Sequence, residues 1–134
     1  MFEPAKKIKN SYKIIDSLGE WPSFHDAEIL KVELDREGPS LEIILYTFLM
    51  LKEVDERGYY KLAKKCIITF RFFSIEELKL IGFNQQNVIS DLNYEQTDKG
   101  DIKVELNSSY GLNGGFICKD IEVISVKEVD KTAI

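Results

Sequence analysis

Residues 27–51 read AEILKVELDREGPSLEIILYTFLML, and this stretch decides the fold. Between Leu30 and Leu34 apolar and charged residues alternate, which is the pattern of a half-buried β-strand. Segment 36–39, REGP, is a turn signal, and segment 40–51 continues as a second strand that is more uniformly apolar. The stretch therefore predicts a β-hairpin.

Further strand patterns follow the hairpin. The polar segment 52–58 ends in glycine, and a long third strand is expected to pair back on the second. In the last strand the apolar positions change parity, which predicts a bulge near Asp120. The strands predicted after the hairpin are 59–73, 88–96, 102–106 and 116–129.

Helical patterns are fewer. Apolar residues from Ile8 to Leu18 recur at steps of three and four among lysines, which predicts an amphipathic helix over residues 5–17, with Gly19 as its stop. Ser74 and Glu77 have the spacing of a capping motif, so segment 74–81 is expected to form a short helix or turn.

Together these elements predict an α+β fold. It has a mainly antiparallel β-sheet of about six strands, with an N-terminal helix packed on it. We see no linker and no repeat in the 134 residues, so we expect a single domain over residues 1–134.

Composition excludes several classes of function. The net charge is −5, and residues 68–134 carry −4 of it, so nucleic acid is an unsuitable ligand and a basic protein a suitable one. The longest apolar run, 43–51, is too short to span a membrane, and the first residues lack a secretory pattern, so we expect the cytoplasm. Cys66 and Cys118 are expected to be reduced core thiols.

The densest polar cluster is WPSFHDAE, residues 21–28. Strand parity places Asp26 and Glu28 with the apolar set, which predicts partial burial, and places His25 on the other face. One histidine cannot complete a usual metal or catalytic set, so we expect no catalytic residue, no cofactor and no metal. A small metal-dependent or acid–base hydrolase that uses these three residues stays the alternative. The favoured interpretation is structural, with Trp21, Phe24, His25, Asp26 and Glu28 building the junction of helix and sheet.

Partner-binding candidates come from exposure and charge. Tyr59 and Tyr60 lie at the mouth of the second hairpin, and tyrosine is frequent at binding hot spots. The C-terminal half supplies an acidic set suited to a basic partner. That set is Asp98, Asp101, Glu105, Asp120 and Glu122.

Two segments carry a resemblance to a known family. The run WPSFHDAEI at 21–29, followed by a strand that ends LDR at 34–36, resembles the signature of the Immunity protein 50 family. Segment 115–126 is similar to the closing strand of that group. The resemblance implies an antitoxin that protects a bacterial cell by binding its own polymorphic toxin. It implies no catalytic residues and no cofactor, and the sequence leaves the toxin and the oligomeric state open.

Overall fold

The computed structural model describes residues 2–54, 56–58 and 60–129. These residues form two short helices, α1 (Pro4–Lys7) and α2 (Tyr12–Leu18), and eight strands. The strands are β1 (Glu28–Asp35), β2 (Ser40–Val54), β3 (Tyr60–Phe73), β4 (Glu76–Ile81), β5 (Val88–Gln96), β6 (Ile102–Tyr110), β7 (Asn113–Cys118) and β8 (Asp120–Glu128).

All strand pairs are antiparallel, and the order across the sheet is β4-β7-β6-β5-β1-β2-β3-β8. The predicted α+β class, the antiparallel sheet and the first two hairpins are confirmed. The count of about six strands is wrong, because the described residues contain eight. The short helix or turn predicted for segment 74–81 is wrong for residues 76–81, which form β4 and pair with β7. Segment 116–129 is divided between two strands.

A shared bend makes the sheet curl back on itself. Phe73 pairs with Asp120, and Glu76 pairs with Ile117, so β3–β4 and β7–β8 form one antiparallel pair that bends. At the bend Lys119 N–H donates to Phe73 O at 2.9 Å, and Ser74 has a φ of 58°. The bulge predicted near Asp120 is therefore a bend instead, at which the chain crosses from β7 in one half of the sheet to β8 in the other.

The two halves, β1-β2-β3-β8 and β5-β6-β7-β4, share one apolar core. Phe72 of β3 meets Phe116 of β7 edge-to-face, with ring centroids 4.9 Å apart. Phe70, which is 0% exposed, contacts the rings of Trp21 and Phe24 at 6.1 and 5.7 Å. Such edge-to-face pairs add to the stability gained from burial.

The helix predicted over 5–17 is interrupted. Between the two short helices, Lys9 N–H donates to Ile121 O and Lys9 O accepts from Val123 N–H, both at 2.9 Å. These bonds to β8 replace the helical ones at this point, and Asn10 adopts a φ of 61°. The predicted stop is confirmed: Gly19 has a φ of 87° and its N–H donates to Ile15 O at 2.7 Å. No helix among the described residues is long and apolar enough to cross a membrane.

Both cysteines are buried free thiols. Burial raises the pKa of Cys118 from its ordinary value of 9.0 to about 12, and the carboxylates of Asp120 and Asp101 contribute in the same direction. Burial also raises the pKa of Cys66. A thiolate is the reactive form, so both groups should be inert in the folded protein.

We therefore expect Ellman's reagent to react negligibly with the native protein at neutral pH, and with both thiols after unfolding in guanidinium. A raised folded-state pKa also means that the stabilisation from Cys118 is fully present below pH 9 and is lost as the pH rises towards 12. Chemical unfolding at a series of alkaline pH values measures this loss. Prompt labelling of the native protein would contradict the expectation.

Candidate functional site

The motif at residues 21–29 lies where the two halves of the sheet meet. Asp26 N–H donates to Ile89 O at 2.9 Å, and Ile29 N–H donates to Asn87 O at 2.8 Å. The His25 ring nitrogen Nδ1 lies 2.9 Å from Ser90 O. The segment thus fastens the start of β1 to β5, a junction with one residue pair in register, Glu28 with Val88.

The expected burial of Asp26 is wrong. The pairing of β1 with β2 shifts between Ile29 and Lys31, so Leu30 lies in a bulge and the parity of the strand resets there. Ile29 consequently faces the core at 2% exposure, whereas the Asp26 side chain is 46% exposed. Glu28 is half-buried, but it shares the parity of Asp26 and not that of Ala27 and Ile29, which face the core.

The three residues of the hydrolase alternative form a loose arrangement. His25 Nε2 lies 3.7 Å from Asp26 Oδ2, and both side chains are about half exposed, at 62% and 46%. Within residues 2–54, 56–58 and 60–129 no group of three His, Cys, Asp or Glu side chains is placed to hold a metal ion. Catalytic acids and bases are usually oriented by a third group within hydrogen-bonding reach, and for His25 that group is the backbone carbonyl of Ser90.

The outer surface of β1-β2-β3-β8 carries a cross-strand row of charges. Glu33 pairs with Glu42, Glu42 with Arg71, and Arg71 with Glu122, so one charged side chain from each strand lies in line. In the next row Asp35 and Asp120 occupy the outer strands. We call this surface the acidic face and define it by Glu33, Asp35, Glu42, Asp120 and Glu122 with Arg71.

Arg71 lies at the centre of the acidic face. Its Nε is 3.4 Å from Glu42 Oε2, within ion-pair distance but not aligned as a hydrogen bond. Its guanidinium also lies 5.6 Å from the ring centre of Phe73, a cation–π contact. Glu122 accepts a hydrogen bond from Asn10 Nδ2 at 3.0 Å, and Lys31 lies 3.6 Å from Glu33. Five carboxylates outnumber Arg71 and the neighbouring Lys31 and Lys9, so this face is negative.

The predicted acidic set is not brought together. Asp120 and Glu122 lie on the acidic face, but Asp98 and Asp101 lie in the turn between β5 and β6. Glu105 lies on β6, where Lys103 pairs with it at 3.6 Å. It lines a separate cleft of about 500 Å³. The partner-binding role of all five residues stays a prediction.

The tyrosine candidates cannot be placed in the same way. Tyr59 lies outside the described residues, and for Tyr60 the structure describes the backbone alone, which pairs with Val54. The residues that the sequence did not single out are Glu33, Asp35, Glu42 and Arg71. Their alternation with apolar neighbours marks them as outward-facing, but their alignment in rows depends on the pairing register.

A mainly β domain with a negatively charged sheet face suits a protein that binds a partner of opposite charge. The family model described as Immunity protein 50 matches residues 10–129, so the chain belongs to that family. The resemblance inferred from the sequence is thereby confirmed, and the family name supports an immunity role. No curated protein and no solved structure matches the chain.

Proposed function

We propose that this protein is a bacterial immunity protein that neutralises a cognate polymorphic toxin by stoichiometric binding in the cytoplasm. The family match over residues 10–129 is the observation that carries the proposal. The whole chain is proposed to act as a single domain without catalysis, metal or cofactor. The partner is proposed to be basic where it makes contact, because the acidic face would attract it.

The motif at residues 21–29 is proposed to serve folding first. Its backbone joins β1 to β5, and Trp21 and Phe24 contact each other and Phe70 below this junction. The exposed His25–Asp26 pair is the observation that favours the hydrolase alternative. Trp21→Ala should lower stability under either interpretation, because the packing of Trp21 on Phe24 and Phe70 does not depend on catalysis. Turnover that is lost in His25→Ala would favour the hydrolase, whereas the structural interpretation predicts no turnover to lose.

Protection in cells is the direct test. The toxin encoded beside this gene should stop growth when expressed alone, and coexpression of the protein should restore growth. Titration calorimetry of the purified proteins should show that the protein and the toxin bind in equal molar amounts. Growth arrest in the presence of well-expressed, folded protein, together with no measurable complex, would remove the proposal.

Association with that toxin should depend strongly on salt. The net charge of −5 and the acidic face are expected to steer a basic partner, and salt screens such steering. We expect the association rate constant to fall about tenfold or more between about 20 mM and 500 mM NaCl, with a smaller change in the dissociation rate. Stopped-flow mixing measures both.

Variants that remove single charges show which part of the surface attracts the toxin. Glu33→Gln and Asp35→Asn remove charge from the acidic face and should reduce the salt dependence. Glu95→Gln, on an exposed position of β5, is the matched control and should leave it nearly unchanged. An association rate insensitive to salt in the wild type would exclude charge steering.

A further inference from the structure

An apolar groove lies beside the acidic face, where the first hairpin meets the bend of the sheet. It has a volume of about 520 Å³. Its apolar lining comes from Leu34 and Pro39 of the hairpin and from Ile75 and Leu78 on either side of the start of β4. Ile75 N–H donates to Pro39 O at 2.9 Å, which fixes the two walls relative to each other.

The groove lies where the core-facing side of β1 runs out of the core and becomes exposed to solvent. Val32 packs against the core, and Leu34, two residues further on the same face, pairs with the fully buried Leu41. Leu34 is nevertheless 62% exposed, and Leu78 is 39% exposed. A partner's apolar side chain placed between them would be covered on one side by buried Ile75 and would shield both leucines from water.

The rim of the groove is acidic. Asp35, Glu76 and Glu77 line it, with Arg36 as the basic residue among them. Asp35 also belongs to the acidic face, and the groove and a smaller pocket of about 270 Å³ on that face share Leu34, Asp35 and Ser40. An apolar centre with a charged rim is the usual anatomy of a protein-binding hot spot.

We infer that this groove is the anchor point for the toxin: it takes one aliphatic or aromatic side chain from a surface segment whose flanking residues are lysine or arginine. The inference rests on the proposed function and names the contact. The volume of about 520 Å³ lies in the range of about 300–1,000 Å³ found for small-molecule sites, so the groove has ample room for one side chain. The acidic rim and the acidic face select a basic segment in preference to a neutral or acidic one.

Thiol footprinting tests the location. The native thiols are buried, so a cysteine introduced at an exposed site is the one that maleimide labels in the folded protein. We expect the toxin at saturating concentration to slow labelling of Leu34→Cys about tenfold or more. Ile81→Cys is the matched control, since Ile81 is 59% exposed on β4 but outside the groove, and its labelling should be unchanged. Equal labelling of Leu34→Cys with and without toxin would overturn the inference.

Affinity variants test the energetics. Leu34→Ala and Leu78→Ala should each raise the Kd for the toxin about tenfold or more, whereas Ile81→Ala should stay within about twofold of the wild type. Glu77→Lys reverses the charge of the rim and should slow association, while Glu95→Lys serves as its control. Thermal unfolding of each variant confirms that the fold is intact, as expected for substitutions at exposed positions.

The outcomes separate this inference from the proposed function. If both leucine variants bind the toxin with wild-type affinity while the wild type protects cells, the groove is not the anchor and the immunity role stands. If the wild type itself neither binds nor protects, both proposals are wrong. A toxin contact that depends on Leu34 and Leu78 but is insensitive to Glu77→Lys would support the groove and reject the basic segment.

Discussion

Phe70→Ala is expected to lower the free energy of unfolding by about 3–5 kcal/mol. Phe70 is 0% exposed, and its ring contacts those of Trp21, Phe24 and Phe72, so truncation leaves a cavity that these rings cannot fill without moving. A domain is held together by about 5–15 kcal/mol in total, so the loss is a large share of that stability. Urea unfolding followed by tryptophan fluorescence measures it.

Two internal checks accompany this measurement. Trp21 is the one tryptophan of the chain and touches Phe70, so its emission should shift to the red in the variant even before unfolding. Phe83→Ala is the matched control, because Phe83 is 55% exposed and its loss should change stability by no more than about 0.5 kcal/mol. Equal stability of the two variants would show that the packing of Phe70 against Trp21, Phe24 and Phe72 does not stabilise the sheet.

Local patterns predicted the first two hairpins because their signals lie within a few residues of each other. The alternation before segment 36–39 and the apolar run after it define both strands, and β1 does pair with β2. The fourth predicted strand, 88–96, matches β5 at both ends. The resemblance that residues 21–29 carry also pointed to the family, and the match over residues 10–129 confirms that family.

Distant backbone contacts account for the errors. Lys9 exchanges hydrogen bonds with β8, more than a hundred residues away in sequence, and no local preference reports that competition with the helix. Segment 74–81 carries a plausible capping motif, yet its backbone finds β7 as a partner. In both segments tertiary pairing outweighs a weak helical preference.

The change of apolar parity in the last predicted strand is real, but its structural cause is a bend and not a bulge. The change between Cys118 and Ile121 is the bend at Lys119, where one strand leaves β6 and its continuation joins β3. The bulge at Leu30 has no marker of its own, so the facing of Asp26 was predicted wrongly. The acidic face and the groove depend on register and on this bend, and for that reason sequence reasoning located only Asp120 and Glu122 there.

Gly114→Ala is expected to cost about 3 kcal/mol or more of stability and to weaken toxin binding as well. Gly114 of β7 has a φ of 146°, a conformation close to exclusive to glycine, and an added Cβ would overlap the carbonyl oxygen of Lys79 on β4. Because that oxygen belongs to the neighbouring backbone, β4 must move away from β7. Leu78 and Glu77, which line the groove, would move with it.

Gly100→Ala separates the two causes of the lost stability, which are the positive φ and the overlap of the added Cβ with β4. Gly100 also has a positive φ, 88°, but nothing lies within 4 Å of the Cβ that alanine would add, so this variant should lose only the conformational term of about 1–2 kcal/mol. Its toxin affinity should be that of the wild type, since the turn between β5 and β6 does not line the groove. Urea unfolding and titration calorimetry of both variants give the comparison. If Gly114→Ala were no less stable than Gly100→Ala, the close packing of β4 on β7 would not be what positions the groove. Gly114→Ala should then bind the toxin with wild-type affinity.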